Sequence, residues 1–309
     1  MGDRLKGRVA IVTGAGRGIG RGEALLLAQE GAAVVINDFG GSSAGSGSEK
    51  GPADEVVDEI KAAGGQGAAN YGNIAEFATG EELVKQAVDT FGRLDIVVNN
   101  AGILRDRMVF NMSEDEWDAV LAVHLKGHFN LTRAACVVFR QQRSGVIVNT
   151  SSESGLGNMG QANYAAAKEG IVGLTRTTAR DMGRYGVRCN AIRPRAGTRL
   201  TISDEMKAAA ERGGAAGMQI SALEAFAKAN PPDAVAPLVV WLCSDEASNV
   251  SGRTFVVGGN IIGLYSEPQV IASIQTDHGW QIDELSKLMP EQVTKGLENA
   301  FAPKEEAKS

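Results

Sequence analysis

The chain has 309 residues, 43% of them hydrophobic and 22% charged, enough to bury a substantial core without disulfides or structural metal. Lys and Arg number 31 against 37 Asp and Glu, a formal charge of -6, which argues against a surface built to neutralise a nucleic-acid backbone. Cys136, Cys189 and Cys243 are too far apart for a zinc site and too few for a disulfide framework, and no apolar run is long enough to span a bilayer. No nucleic-acid, metal or membrane partner is expected.

Taken in chain order, short β-branched runs predict strands at 9–12, 33–36, 94–98, 146–148, 187–192 and 254–257. Between them lie helical stretches at 19–30, 53–63, 79–91, 114–140, 162–184 and 233–243. Strands that alternate with helices call for an α/β fold, a doubly wound parallel sheet joined by right-handed crossovers. The 39 glycines follow no fixed period and are read by position. Gly40 to Pro52 reads as a flexible surface loop, and residues 197–231 as a mobile lid over a substrate. One domain is expected over 1–263. A C-terminal extension, 264–309, would carry one amphipathic stretch from Asp283 to Phe301.

The first strand runs into Thr13-Gly14-Ala15-Gly16-Arg17-Gly18-Ile19-Gly20, directly before a helix. Glycines let the backbone turn sharply and approach a pyrophosphate, while the helix offers open N–H groups and the positive end of its dipole. The second strand ends at Asn37-Asp38, where a carboxylate can accept from both adenosine ribose hydroxyls and would repel a 2′-phosphate. Asp38 therefore points to NAD over NADP, although the basic Arg17 points the other way. Asn99-Asn100-Ala101-Gly102 closes another strand, where small residues could pack on the cofactor.

Tyr164 and Lys168 stand four residues apart in a helical stretch, so they share one face. A phenol is a poor base at neutral pH, and an adjacent ammonium would favour its phenolate. Ser151, thirteen residues before Tyr164, would hold a substrate oxygen while Tyr164 takes or returns its proton.

Together the Thr13–Gly20 turn, the Asn99–Gly102 tetrapeptide, Ser151 and the Tyr164/Lys168 pair resemble the short-chain dehydrogenase/reductase family over residues 5–260. The resemblance implies a single Rossmann-type doubly wound parallel seven-stranded sheet with a C-terminal extension, and a serine–tyrosine–lysine mechanism. It places the cofactor against Gly14, Arg17, Gly18, Ile19, Gly20, Asp38, Asn73, Ile74, Asn100, Ala101, Gly102, Tyr164, Lys168, Pro194 and Thr198. Within the family, four segments are most similar to the (3R)-hydroxyacyl-CoA dehydrogenases of type 2 multifunctional β-oxidation enzymes, also described as type 4 17β-hydroxysteroid dehydrogenases. They are Asn37 to Gly41, Val123 to Gly127, Gly157 to Tyr164 and Pro194 to Thr201. Two departures from the wider family stand out. His124 replaces a common asparagine and would either serve a water relay behind Lys168 through a ring nitrogen, mark a rewired relay, or be a helix histidine satisfied by a backbone carbonyl, and Arg195 replaces a common glycine.

The resemblance implies NAD-dependent oxidation of a 3-hydroxyacyl-CoA in fatty-acid or sterol side-chain β-oxidation. The alternatives are a hydroxysteroid dehydrogenase, a ketoacyl reductase and a nucleotide-binding scaffold without turnover. An acyl-CoA or steroid-like substrate and a homodimer or homotetramer go with it. With no signal segment and no Ser-Lys-Leu ending, a free-standing cytoplasmic enzyme is expected. Arg193, Arg195 and Arg199 crowd just after a strand end, where they could bind CoA phosphates or pair with carboxylates such as Asp204 or Glu205.

Overall fold

The computed structural model describes residues 2–47, 51–198 and 220–302. It divides into a unit from Met1 to Tyr265 and a second from Ser266 to Ser309. The first unit runs β1 (Val9–Thr13), α1 (Gly18–Gln29), β2 (Ala33–Asn37), α2 (Gly51–Ala62), β3 (Gln66–Asn70), α3 (Phe77–Phe91), β4 (Ile96–Asn99) and α4 (Glu114–Leu121). A π-helical turn, Ala122–Lys126, leads to α5 (Gly127–Gln142), β5 (Gly145–Thr150), α6 (Ala162–Gly183) and β6 (Val187–Pro194). Then come α7 (Ile220–Ala229), α8 (Ala236–Cys243), β7 (Thr254–Gly258) and β8 (Ile261–Leu264).

The sheet has the order β3-β2-β1-β4-β5-β6-β7-β8. Seven strands are parallel, as expected, and β8 is an additional antiparallel edge strand paired with β7. Side chains alternate across each strand. Ala10, Val12, Val34, Ile36, Val98 and Val148 face α1, α2 and α8, whereas Val9, Ile11, Val35, Val97 and Ile147 face α3 and α5. Both faces are therefore dry, which is why the inner strands read as unbroken apolar runs.

The predicted single helix over 114–140 is interrupted. Ser113 and Glu116 form a capping box that starts α4, and the backbone then widens into the π turn before α5. That turn carries the buried His124. In the second unit, α9 (Ile282–Leu288) continues into a π turn, Met289–Val293, and neither buries a residue. Among the described residues, no helix is long and apolar enough to cross a membrane.

Candidate active site

Between β1 and α1 the chain is forced close to the loop after β4. A Cβ on Gly14, whose φ is +62°, would sit 2.7 Å from the Ala101 Cα, and one on Gly20 would sit 2.5 Å from the Gly14 carbonyl oxygen. Asn100 holds the turn from the other side, its Nδ2 donating to the carbonyls of Thr13 and Gly14 at 3.0 and 3.1 Å. The Arg17 side chain does not cap α1, so its first N–H groups remain open to a ligand.

In front of this turn lies a cavity of about 630 Å³. Its walls include Gly14, Arg17, Gly18, Ile19, Asp38, Asn73, Ile74, Asn100, Ala101, Gly102 and Thr198, all named from the sequence. Gly20 lies behind the turn. Pro194, Tyr164 and Lys168 are not among the cavity walls. Asp38 is fixed by two backbone donors, Gly16 N on Oδ2 at 2.8 Å and Gly40 N on Oδ1 at 2.7 Å. Each carboxylate oxygen keeps acceptor capacity for a ribose hydroxyl. A glycine cradle, an open helix start and a carboxylate on the cavity wall suit a dinucleotide.

The segment after β2, expected to be a flexible surface loop, is pinned over its described part. Leu104 N donates to Ser43 O at 3.0 Å and Arg105 Nε to Ala44 O at 3.1 Å. Phe39, Gly41, Ser42 and Gly45 thereby join the cavity wall. Nothing in the composition of a Gly/Ser stretch signals such long-range partners.

At the chemical end, Tyr164 and Lys168 share a face of α6, as their spacing requires. Lys168 is buried; its Nζ donates to Thr150 O at 2.6 Å and lies 5.4 Å from the centre of the Tyr164 ring. Burial lowers the Lys168 pKa to about 7. Burial also pushes the Tyr164 phenol up to about 12, against a hydrogen bond from Ser152 that lowers it. Desolvation is the largest influence on the phenol.

The serine at the phenol is Ser152, not Ser151. Ser151 is 1% exposed and turns its hydroxyl away, donating to Lys168 O at 2.7 Å. Ser152 is extended, with φ -159° and ψ 156°, so the two neighbouring side chains point to opposite sides. Its Oγ accepts from Ser154 N at 3.1 Å, and its side chain is the one whose interaction lowers the Tyr164 phenol. A residue count to the tyrosine does not settle which of two adjacent serines faces it.

His124 is buried, its Nε2 lying 2.8 Å from Ile103 O and 3.0 Å from Ile103 N. The imidazole stands edge-on to Tyr164 with 5.1 Å between ring centres. Gly102 makes room for it, since a Cβ there would lie 2.3 Å from His124 Cε1. Burial, and then the Lys168 charge, hold its pKa well below the usual value. His124 therefore acts as a neutral packing partner of Tyr164, and its Nδ1 has no partner among the described residues. One turn on, His128 is also buried and neutral, its pKa lowered to about 3 by burial. Asn163, not singled out from the sequence, anchors the start of α6 by donating to Arg105 O and Glu116 O at 2.9 and 2.8 Å.

Two of the three crowded arginines are bound to carboxylates. Arg193 is buried and donates to Glu169 at 2.7 Å, and Arg195 grips Glu153 through two bonds of 2.7 and 2.8 Å. These partners are neither CoA phosphates nor Asp204 and Glu205. Arg199, those two acidic residues and most of the expected lid lie outside the described residues.

Residues 8–208 match the family model described as short chain dehydrogenase. The chain is 47% identical over 298 residues to hydroxyacyl-CoA dehydrogenase ChsB1 of Mycobacterium tuberculosis, covering 91% of this chain and 87% of that protein. It is 46% identical over 272 residues to peroxisomal multifunctional enzyme type 2 of Mus musculus, covering 88% of this chain but 34% of the mouse protein. The chain thus spans about a third of that relative's length. A solved short chain dehydrogenase from Mycobacterium avium superposes with a TM-score of 0.79 at 44% identity, over 94% of this chain and 96% of that one.

Proposed function

Because the chain belongs to the short-chain dehydrogenase family and is an oxidoreductase of that family, we propose that it oxidises a 3-hydroxyacyl-CoA to the 3-ketoacyl-CoA with NAD as cofactor. The observation that carries the substrate class is the near full-length similarity to a named hydroxyacyl-CoA dehydrogenase.

In this reading Ser152 Oγ and the Tyr164 hydroxyl hold the substrate alcohol, and Tyr164 takes its proton. Bound NAD supplies the hydride acceptor. Burial raises the phenol to about 12 and lowers the ammonium to about 7, disfavouring the charged form of each, so the proton transfer calls for a cation held beside the phenol. Lys168, in its protonated form, is the cation toward which the phenolate forms. His124 and Gly102 keep the Tyr164 ring in place. Gly14, Gly18 and the start of α1 would hold the pyrophosphate, Asp38 the adenosine ribose, and Asn73 and Ile74 the adenine.

Rates on a panel running from short straight-chain 3-hydroxyacyl-CoA esters to sterol side-chain CoA esters, with free hydroxysteroids alongside, test the substrate class. Turnover of free steroids without thioesters would replace it by a hydroxysteroid dehydrogenase. Asp38→Ala should narrow the preference for NAD over NADP, read as the ratio of kcat/KM for the two cofactors. A wild-type enzyme that already favours NADP would overturn the assignment and transfer the choice to Arg17. That result would also favour a ketoacyl reductase.

Self-association belongs to the same proposal. Leu121, Leu125, Phe129 and Leu174 line an apolar groove on α4, the π turn, α5 and α6, with Phe129 45% exposed. Light scattering at micromolar concentration should report a dimer or tetramer, and a monomer would refute it. Free Cys136, Cys189 and Cys243 suit a reducing setting such as the cytoplasm.

A further inference from the structure

Glu153 directly follows Ser152 and opens the short 3-10 turn Glu153–Leu156 that Ser152 caps. Its carboxylate is held by three donors from two other parts of the sheet. Arg195, just beyond β6, donates Nε to Oε2 at 2.7 Å and Nη2 to Oε1 at 2.8 Å. Tyr265, just beyond β8, donates its hydroxyl to Oε1 at 3.0 Å. The Arg195 backbone is itself fixed by donating to Val257 O at 2.7 Å, and that of Tyr265 by donating to Thr254 O at 3.0 Å. A second arm starts from the same tyrosine. The Arg193 guanidinium lies 4.9 Å from the centre of the Tyr265 ring and donates to Glu169, the neighbour of Lys168 on α6.

We propose that Glu153, Arg195 and Tyr265 form a clamp whose function is to position Ser152 against Tyr164; this rests on the reading of Ser152 as a substrate-holding residue. The clamp refers the loop of Ser152 to the ends of β6 and β8. Through Arg193 and Glu169 it refers the helix of Tyr164 and Lys168 to the same two strands. Ser152 and Tyr164 come from different elements; Ser151 ties the start of the loop to β6 and α6 through Ile192 O and Lys168 O at 2.8 and 2.7 Å, and the clamp fixes the side of the loop beyond Ser152.

The clamp's value is geometric. The Arg195 and Glu153 side chains are 42% and 37% exposed, and an ion pair that open to water adds little to global stability. Its bidentate, planar form instead fixes direction, which a single bond would not. The Arg195 hydrogen bonds, then that of Tyr265 and the Arg195 and Arg193 charges, hold the Glu153 carboxyl below its usual range against the opposing effect of burial, so the clamp stays charged at neutral pH. It also accounts for Arg195 in a place where glycine is common: this arginine is committed to the scaffold of the site, not to a substrate phosphate.

A double-mutant cycle separates the clamp from the serine it serves. Glu153→Gln keeps the shape and removes the charge, and Tyr265→Phe removes one hydroxyl. In the otherwise wild-type enzyme each should lower kcat, Glu153→Gln by roughly tenfold for a misplaced contact, with NAD affinity and thermal midpoint little changed. In a Ser152→Ala background the same changes should alter the residual kcat by less than about twofold, because the group they position is gone. Equal losses in both backgrounds, or an unchanged kcat in the first, would overturn the clamp and leave Ser152 in place. Wild-type turnover by Ser152→Ala alone would instead remove Ser152 from the reaction, and the proposal with it.

Discussion

Tyr164→Phe is expected to bind NAD nearly as well as the wild type and to lose on the order of 10²-fold or more in turnover, the scale of a positioned acid–base group. The ring survives the change, so its edge-on contact with His124 and its place beside Lys168 are kept. Only the hydroxyl, on which Ser152 acts, is lost. Cofactor binding is spared because the aromatic ring is kept and Lys168 stays in place beside it. Equilibrium binding of NAD together with steady-state rates checks both halves. Turnover near the wild-type level would remove Tyr164 from the proton transfer.

The second large effect separates two neighbours. Ser152→Ala should lower turnover on the order of 10²-fold, as loss of a donor at the reacting oxygen does, and also removes the cap on Ser154 N. Ser151→Ala should leave turnover within about twofold of the wild type. It deletes a buried hydrogen bond to Lys168 O, worth about 1 kcal/mol of stability, and leaves the hydroxyl pair at the phenol intact. Paired melting curves and rates on the two variants decide it. An inactive Ser151 variant beside an active Ser152 variant would reinstate the assignment by counting.

These two serines show where a sequence stops being legible. The glycine turn and Asp38 could be placed because a strand, a tight turn and a helix start impose positions that few residues satisfy. The spacing of Tyr164 and Lys168 is likewise enforced by a helix. The choice between Ser151 and Ser152 depends on which way an extended residue faces at a strand end, and that is set by packing on α6. Two strands escaped for related reasons. β3, Gln-Gly-Ala-Ala-Asn, has no β-branched residue and owes its form to pairing with β2. β8 is exposed and follows β7 after a two-residue turn in which Gly259 has a φ of +52°. Ion pairs are the least legible of all. Arg193 finds Glu169 and Arg195 finds Glu153 across 24 and 42 positions of chain, so an arginine cluster that suggested phosphate recognition belongs, at these two positions, to the frame around the serine.

The most direct test of the whole account is the appearance of NADH absorbance when the purified protein is given NAD and a 3-hydroxyacyl-CoA. The account predicts NADH formation that depends on the thioester, is slower with NADP, and is lost in Tyr164→Phe. No NADH with any thioester, from short chains to sterol side chains, or formation that survives in Tyr164→Phe, would contradict it.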